Sequence, residues 1–299
     1  MKKYLLLFIK GIAMGIANII PGVSGGTIAL ITRIYEEFIV SLKSFDLKAL
    51  KMLLSFKIKK FIKYTNFYFL LAVLGGSTFS MISIAKILGK LFDENPISVW
   101  SFFFGLILAS VYYVGCRVEK WKLGPILFFI IGTGFAISLT FLSNSPIHNE
   151  SLLYVFICGV VGVSGMLIPG LSGSFILILM GTYELLMIES LSNPINNIVI
   201  LSIFILGSIV GLILFSHVIA WFLKYFKDYI LALLTGFIVG SLIIIWPWQN
   251  CIEETNTKIK CLEYEKYIPE LDLSLLPSVL LMILGYLLVM KLETFSKTD

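Results

Sequence analysis

Residues 11–36 read GIAMGIANIIPGVSGGTIALITRIYE, and this stretch decides the fold of the chain. Its apolar run is interrupted by Pro21-Gly22-Val23-Ser24-Gly25-Gly26. Proline removes a backbone donor and glycine frees the backbone dihedrals, so we predict that the helix breaks here. Inside a bilayer, a break is tolerated only where protein or a water-filled cavity satisfies the freed backbone groups.

The same break recurs 148 residues later, as Pro169-Gly170-Leu171-Ser172-Gly173-Ser174. The flank recurs in register as well, because Tyr35-Glu36 reappears as Tyr183-Glu184 at the same spacing. Two matching segments with matching flanks predict an internal duplication.

The composition indicates an integral membrane protein. Of the 299 residues, 58% are hydrophobic and only 14% are charged, whereas soluble domains are near half apolar and a quarter charged. The net charge of +5 is modest and unevenly placed, which argues against nucleic acid as a partner. His148 and His217 are too widely separated to suggest a metal site, no cofactor is predicted, and the oligomeric state is left open.

The predicted fold class is an all-α polytopic membrane protein with an inverted-topology repeat, in which each half is a broken re-entrant helical hairpin plus three transmembrane helices. An odd number of crossings per half forces the second half to enter from the opposite side, and paired broken helices place the substrate near the midplane. In the first half, 1–148, we predict a hairpin at 4–42, a basic amphipathic segment at 43–63 and spans at 67–92, 97–115 and 123–143. In the second half, 149–299, we predict a hairpin at 151–190, spans at 195–222, 229–247 and 276–291, and an external loop at 248–275.

Charge sets the predicted orientation. Segment 43–63 carries seven lysines against the single Asp46, so it is assigned to the cytoplasm, which puts both termini there too. It is either an amphipathic helix on anionic lipid or a solvated basic loop. Cys251 and Cys261 share the predicted external loop, where a disulfide could form.

The two breaks are the candidate binding site. A helix N-terminus exposes backbone N–H groups and the positive end of the helix dipole, and glycine-lined amides with nearby hydroxyls suit phosphate. The alternative is that both breaks only kink tight hairpins, with serines satisfying freed backbone groups. The predicted phosphate-binding residues are Ser24, Gly25, Gly26, Thr27, Ser172, Gly173 and Ser174.

Three charged residues near the breaks have two interpretations each. Arg33, which the repeat replaces with Gly181, is either a phosphate clamp or the ion-pair partner of Glu36 or Glu37 on the same helix. Glu36 and Glu184 are equivalent in the repeat, so they are candidates for ion coupling. Alternatively, both cap a helix near an interface.

The two motifs resemble a bacterial membrane family long described as a domain of unknown function and associated with undecaprenyl-phosphate translocation. The resemblance is carried by PGVSGGTIAL with Tyr35-Glu36 and by PGLSGS with Tyr183-Glu184. It implies a flippase in the bacterial cytoplasmic membrane that returns undecaprenyl phosphate, a polyprenyl-phosphate lipid, from the outer to the inner leaflet for reuse. Arg33 stands where the resemblance implies a small residue.

Two other functions fit parts of the pattern. A transporter of a soluble anion would use the same amides and hydroxyls. A serine hydrolase is suggested because Ser24 and Ser172 both lie in Gly-x-Ser-Gly, with His217 as a possible base. A duplicated serine with a single intramembrane histidine fits that chemistry poorly, so we predict that the chain is not an enzyme.

Overall fold

A computed structural model describes residues 2–19, 23–141, 151–183, 185–186, 190, 195–251, 264–270 and 272–297. The described chain is mostly helical. The helices of the first half are α1 (Lys2–Ile19), α2 (Gly25–Ile31), α3 (Tyr35–Lys43), α4 (Leu47–Leu54), α5 (Ile58–Tyr64), α6 (Phe67–Glu94), α7 (Pro96–Gly115) and α8 (Leu123–Thr140). The second half has α9 (Leu152–Leu167), α10 (Gly173–Leu179), α11 (Ile198–Tyr225), α12 (Lys227–Ser241), strands β1 (Gln249–Cys251) and β2 (Tyr264–Lys266), a 3₁₀ turn (Leu273–Leu275) and α13 (Leu276–Lys297).

The chain doubles back at both breaks. In the first half, the Gly25 amide donates to Asn18 Oδ1 at 2.7 Å, and Lys10 Nζ donates to the Thr32 carbonyl at 3.1 Å, so α2 returns alongside α1. In the second half, the Tyr154 hydroxyl donates to the Met180 carbonyl at 2.7 Å, which brings the end of α10 back to the beginning of α9.

Glycines set the closest helix packing. A Cβ atom added at Gly11 of α1 would meet the backbone of Val73 in α6, and one at Gly207 of α11 would meet Phe156 in α9. Small residues of this kind let helix backbones approach closely. In both cases the paired helices run in the same direction, since Gly15 next faces Ser77, and Gly211 next faces Val160.

The same kind of contact joins helices from different halves. Gly105 of α7 lies against Met282 of α13, and Gly236 of α12 lies against Phe129 of α8. Two helices of the first half thus have their most extensive packing against helices of the second half.

The predicted spans correspond to helices whose ends differ by a few residues. Of the described helices, Pro96–Gly115 and Ile198–Tyr225 are long and apolar enough to cross a bilayer, and four more have shorter apolar stretches: Phe67–Met81, Leu123–Leu139, Leu152–Leu167 and Leu276–Lys291. The predicted span 229–247 is shorter than expected, because α12 ends at Ser241.

Three local features differ from the prediction. The second arm of the first hairpin is divided into α2 and α3, and segment 43–63 forms two short helices, α4 and α5. Phe56, with φ of 52°, lies at the second division. The predicted external loop contains β1 and β2, an antiparallel pair in which Asn250 faces Glu265, so the described chain is not purely helical. Cys261, one half of the possible disulfide, lies outside the described residues.

Candidate functional site

Ser24 joins the two breaks. Its extended backbone (φ −115°, ψ 136°) places it as the N-cap of α2, where its hydroxyl oxygen accepts from the Gly26 amide at 3.2 Å. The same hydroxyl lies 3.1 Å from the carbonyl of Gly165 and 3.3 Å from that of Ile168, to which it can donate. Both carbonyls belong to the end of α9, beyond the internal hydrogen bonds of the helix, and that of Ile168 also accepts from the Leu171 amide at 3.2 Å.

Two further hydrogen bonds cross the same junction. The Tyr35 hydroxyl donates to the Leu167 carbonyl at 3.0 Å, and the Gly170 amide donates to Thr27 Oγ1 at 3.1 Å. Ser24, Thr27 and Tyr35 are all buried. The structure therefore brings the two predicted motifs together in the interior of the bundle.

The first break satisfies its own amides. Asn18 accepts from Gly25, and Ser24 accepts from Gly26, so both glycine amides are bonded within the protein. The sequence alone does not single out Asn18. The feature that could have identified Asn18 is a polar side chain within an apolar helix, seven residues before the backbone amide that it binds.

The second break differs in this respect. Within the described part of the chain, Ser172 makes no side-chain capping bond to α10. Its hydroxyl instead shares a hydrogen bond with that of Ser174, at 2.7 Å. The residue equivalent to Asn18 is Met166, whose thioether is at best a weak acceptor. More hydrogen-bonding groups are therefore left for a ligand at Ser172, Gly173 and Ser174 than at Ser24, Gly25 and Gly26.

The glycines of both motifs are also packing residues. A Cβ atom at Gly26 would lie 2.9 Å from the Leu167 carbonyl oxygen, and one at Gly173 would lie 2.8 Å from the Gly162 carbonyl oxygen. One at Gly25 would lie 2.8 Å from the Asn18 amide. Bulky substitutions here disturb helix packing as well as any ligand, so substitutions of the serines test the site more cleanly.

Arg33 is exposed, in contrast to the buried Ser24 and Ser172. It has a left-handed backbone with φ of 60° and follows the end of α2. Its amide bonds to the Leu30 carbonyl at 3.1 Å, and the next amide, that of Ile34, bonds to Ala29 at 3.0 Å. This pair of bonds is a Schellman motif, which ordinarily takes glycine at the left-handed position.

The acidic residues beside Arg33 contact other helices. Glu36 Oε1 lies 3.4 Å from Lys227 Nζ at the beginning of α12, and Glu37 Oε1 accepts from Asn66 Nδ2 at 2.8 Å. The side chains of Glu36 and Lys227 are 56% and 49% exposed, so their ion pair is weak. Glu184 lies outside the described residues.

The serine-hydrolase alternative gains no support from these contacts. The Ser24 hydroxyl bonds to the carbonyls of the second break, and His217 Nδ1 lies 2.9 Å from the Ile213 carbonyl of its own helix. A nucleophilic serine requires a base within hydrogen-bond reach.

Comparison with known families decides the assignment. Residues 14–261, which include both breaks, match the family described as undecaprenyl phosphate translocase-like. The chain belongs to this family. A polyprenyl-phosphate transporter from Vibrio cholerae serotype O1 is 39% identical over 251 residues, covering 84% of this chain and 80% of that protein. A polyprenyl-phosphate transporter from Staphylococcus aureus is 31% identical over 254 residues, covering 80% of this chain and 85% of that protein.

The undecaprenyl phosphate translocase-like family was the one indicated by the two motifs. Family membership and the apolar helices identify this chain as a membrane protein from a family of transporters. No solved structure matches the chain significantly.

Proposed function

We propose that this protein is a flippase that returns undecaprenyl phosphate from the outer to the inner leaflet of the bacterial cytoplasmic membrane. The observation that carries the proposal is the buried junction at which Ser24 reaches the carbonyls of Gly165 and Ile168. A polar, glycine-broken turn inside an apolar bundle is costly where its polar groups lack hydrogen-bond partners, and the second break has hydroxyls and amides that a polar ligand would satisfy. The names of the two relatives give that ligand a chemistry, a polyprenyl phosphate.

The head-group site is proposed at the second break. Ser172, Gly173 and Ser174 offer two hydroxyls and backbone amides to the phosphate oxygens, which form strong charge-assisted hydrogen bonds. Ser24, Gly25, Gly26 and Thr27 form the opposite wall and hold the second break in position. Arg33 is left outside this proposed site, because its side chain is exposed whereas Ser172 is buried. The isoprenoid tail stays in lipid.

The two halves are proposed to be inverted repeats. The proposal is supported by the parallel packing of α1 on α6 and of α9 on α11. It is supported further at one end of the bundle, where Glu37 contacts Asn66 before α6 and Glu36 contacts Lys227 after α11. The beginning of α6 and the end of α11 therefore lie close together, so that the two helices run in opposite directions. Inverted repeats with broken helices are typical of alternating-access transporters.

The orientation and the ion coupling complete the proposal. Both termini and the basic segment 43–63 are assigned to the cytoplasm, following the excess of lysine there. Glu36 and Glu184 are proposed to couple transport to an ion. During the cycle, Glu36 would exchange its ion pair with Lys227 for the coupled ion.

Transbilayer movement of a labelled polyprenyl phosphate in proteoliposomes tests the function. The wild-type protein is expected to move the lipid faster than protein-free vesicles, and the variant S172A/S174A is expected to lose roughly tenfold or more in rate, because two hydrogen bonds to a charged group are lost. The matched control is Ser138→Ala, which removes an exposed hydroxyl on α8. Wild-type rates in S172A/S174A would contradict the site. Uptake of inorganic phosphate without lipid movement would favour the soluble-anion function.

A further inference from the structure

The helices α4 and α5 form a compact unit that exposes both lysines and large apolar side chains. The exposed lysines are Lys48, Lys51, Lys57, Lys59, Lys60 and Lys63, against the single Asp46 at the beginning of α4. The exposed apolar side chains include Leu47 (77% exposed), Leu54 (69%) and Phe56 (88%). The exposed apolar side chains do not fit a loop that only faces water, because exposed clusters of leucine and phenylalanine are unfavourable there.

The unit is held in one shape against the rest of the bundle. Asp46 caps α4 by accepting from the amides of Lys48 and Ala49, both at 2.9 Å, and it also accepts from the Tyr64 hydroxyl at 2.7 Å. Ala49 is buried, and the Phe61 ring packs between Phe45 and Phe67. The exposed face is therefore presented by an ordered structure.

The two sides of α5 carry different kinds of side chain. At 100° per residue, Lys59, Lys60 and Lys63 fall on one side of the helix, while Ile58 and Phe61 fall on the other. The turn before it puts Phe56 at its tip, beside Lys57. Because Phe61 packs against the bundle between Phe45 and Phe67, the lysine-rich face of α5 is turned outward, toward lipid head groups.

We propose that α4 and α5 dock on acidic phospholipid head groups, with Leu54 and Phe56 inserted below them. The partner follows from charge complementarity, since six exposed lysines in a unit that also exposes large apolar side chains attract an anionic leaflet. The lysine stems lie along the apolar boundary while their ammonium groups reach the lipid phosphates. This inference does not depend on the transported substrate.

The test uses the full-length protein with a fluorophore at Phe56→Cys, after replacement of the four native cysteines, in lipid nanodiscs. The discs contain phosphatidylcholine and phosphatidylglycerol at 3:1. Two preparations are compared, one with brominated acyl chains on phosphatidylcholine and one with brominated acyl chains on phosphatidylglycerol, and both contain the same mole fraction of brominated lipid. We expect brominated phosphatidylglycerol to quench at least twofold more than brominated phosphatidylcholine. In 1 M salt, where the screening length falls to about 3 Å, this preference should disappear.

A charge-matched pair of variants separates docking from general charge. Replacing Lys59, Lys60 and Lys63 with glutamine should abolish the preference for phosphatidylglycerol. Replacing Lys120, Lys122 and Lys224 with glutamine removes the same charge from other exposed positions and should leave the preference intact. Equal quenching by the two lipids at low salt, or quenching by aqueous iodide in place of either lipid, would overturn the proposal. The salt comparison, made with the wild-type lysines in place, tests the proposal even where the triple variant fails to fold.

Discussion

Arg33 and Gly181 adopt the same backbone conformation 148 residues apart, with φ of 60° and 67°. Each follows a seven-residue helix and closes it with the same two hydrogen bonds: Gly181 to Ile178 at 2.8 Å, then Thr182 to Leu177 at 3.0 Å. The two helix ends thus share one backbone geometry at positions where the residues themselves differ.

Replacing Arg33 with glycine is expected to stabilise the protein or leave it unchanged. A left-handed conformation costs a non-glycine residue about 1–2 kcal/mol, part of which glycine returns as extra freedom in the unfolded chain. Gly181→Ala should lower stability by about 1 kcal/mol. Midpoints of thermal unfolding in detergent would measure both changes. Loss of stability in R33G would show that the Arg33 side chain stabilises the structure, and loss of transport at unchanged stability would favour a role for Arg33 as a phosphate clamp.

Ser24→Ala is expected to cost about 1–3 kcal/mol of stability. The substitution removes the cap on Gly26 and the hydroxyl donor that lies between the Gly165 and Ile168 carbonyls at the end of α9. Ser172→Ala should cost less than about 1 kcal/mol, because Ser172 does not cap α10, while reducing transport. This division, in which Ser24 mainly stabilises and Ser172 mainly supports transport, is checked by measuring denaturation midpoints and transport rates for the two variants. The prediction fails if S172A is the less stable of the pair.

Tyr35→Phe is expected to destabilise the junction by about 1–2 kcal/mol. Its fully buried hydroxyl satisfies the Leu167 carbonyl, and phenylalanine leaves that acceptor unpaired. Tyr68→Phe is the control, because Tyr68 is 54% exposed. Thermal stability of the two variants in the same detergent should differ; equal midpoints would show that the Tyr35 hydrogen bond contributes little.

The ion pair between Glu36 and Lys227 should contribute at most about 1 kcal/mol, as measured by a double-mutant cycle of E36Q and K227Q. If Glu36 couples ions, E36Q should abolish the dependence of transport on a pH gradient, whereas K227Q should retain it. Identical effects of the two variants on that dependence would identify the pair as structural.

The cap on α4 should respond to acid. Burial alone would raise the pKa of the Asp46 carboxyl, but hydrogen bonds donated by Ala49 N–H, Tyr64 O–H and Lys48 N–H outweigh it and hold the pKa below its usual range. A depressed carboxyl pKa adds stability that is complete above the unfolded value of about 3.9 and is lost as the pH falls through the lower folded value. Hydrogen exchange of the α4 amides, corrected for intrinsic rates, should therefore speed up in acid. Asp46→Ala should show fast exchange already at neutral pH, without further change.

The sequence predicted a helix end at the second break because proline and glycine act locally. Pro169 and its neighbours end α9 wherever the rest of the chain lies. Asn18, by contrast, matters only because folding brings its amide to Gly25, a contact that no periodicity reports. The left-handed backbone of Arg33 was equally unpredictable from the sequence, because arginine disfavours the conformation that the helix end imposes.

Two other errors have the same origin. Segment 43–63 reads as one amphipathic pattern, but the left-handed Phe56 divides it where the Asp46–Tyr64 bond folds α5 back on α4. Strands β1 and β2 are three residues each, too short for an alternating pattern, and only their pairing defines them.

The packing of α7 on α13 and of α12 on α8 has a consequence for synthesis. A ribosome releases α7 well before α13, so Gly105 has no Met282 to pack against until the last helix has been inserted. Each half expressed alone should thus fold poorly. Folding should recover when both halves are produced together in one cell, since each carries surfaces that only the other can cover.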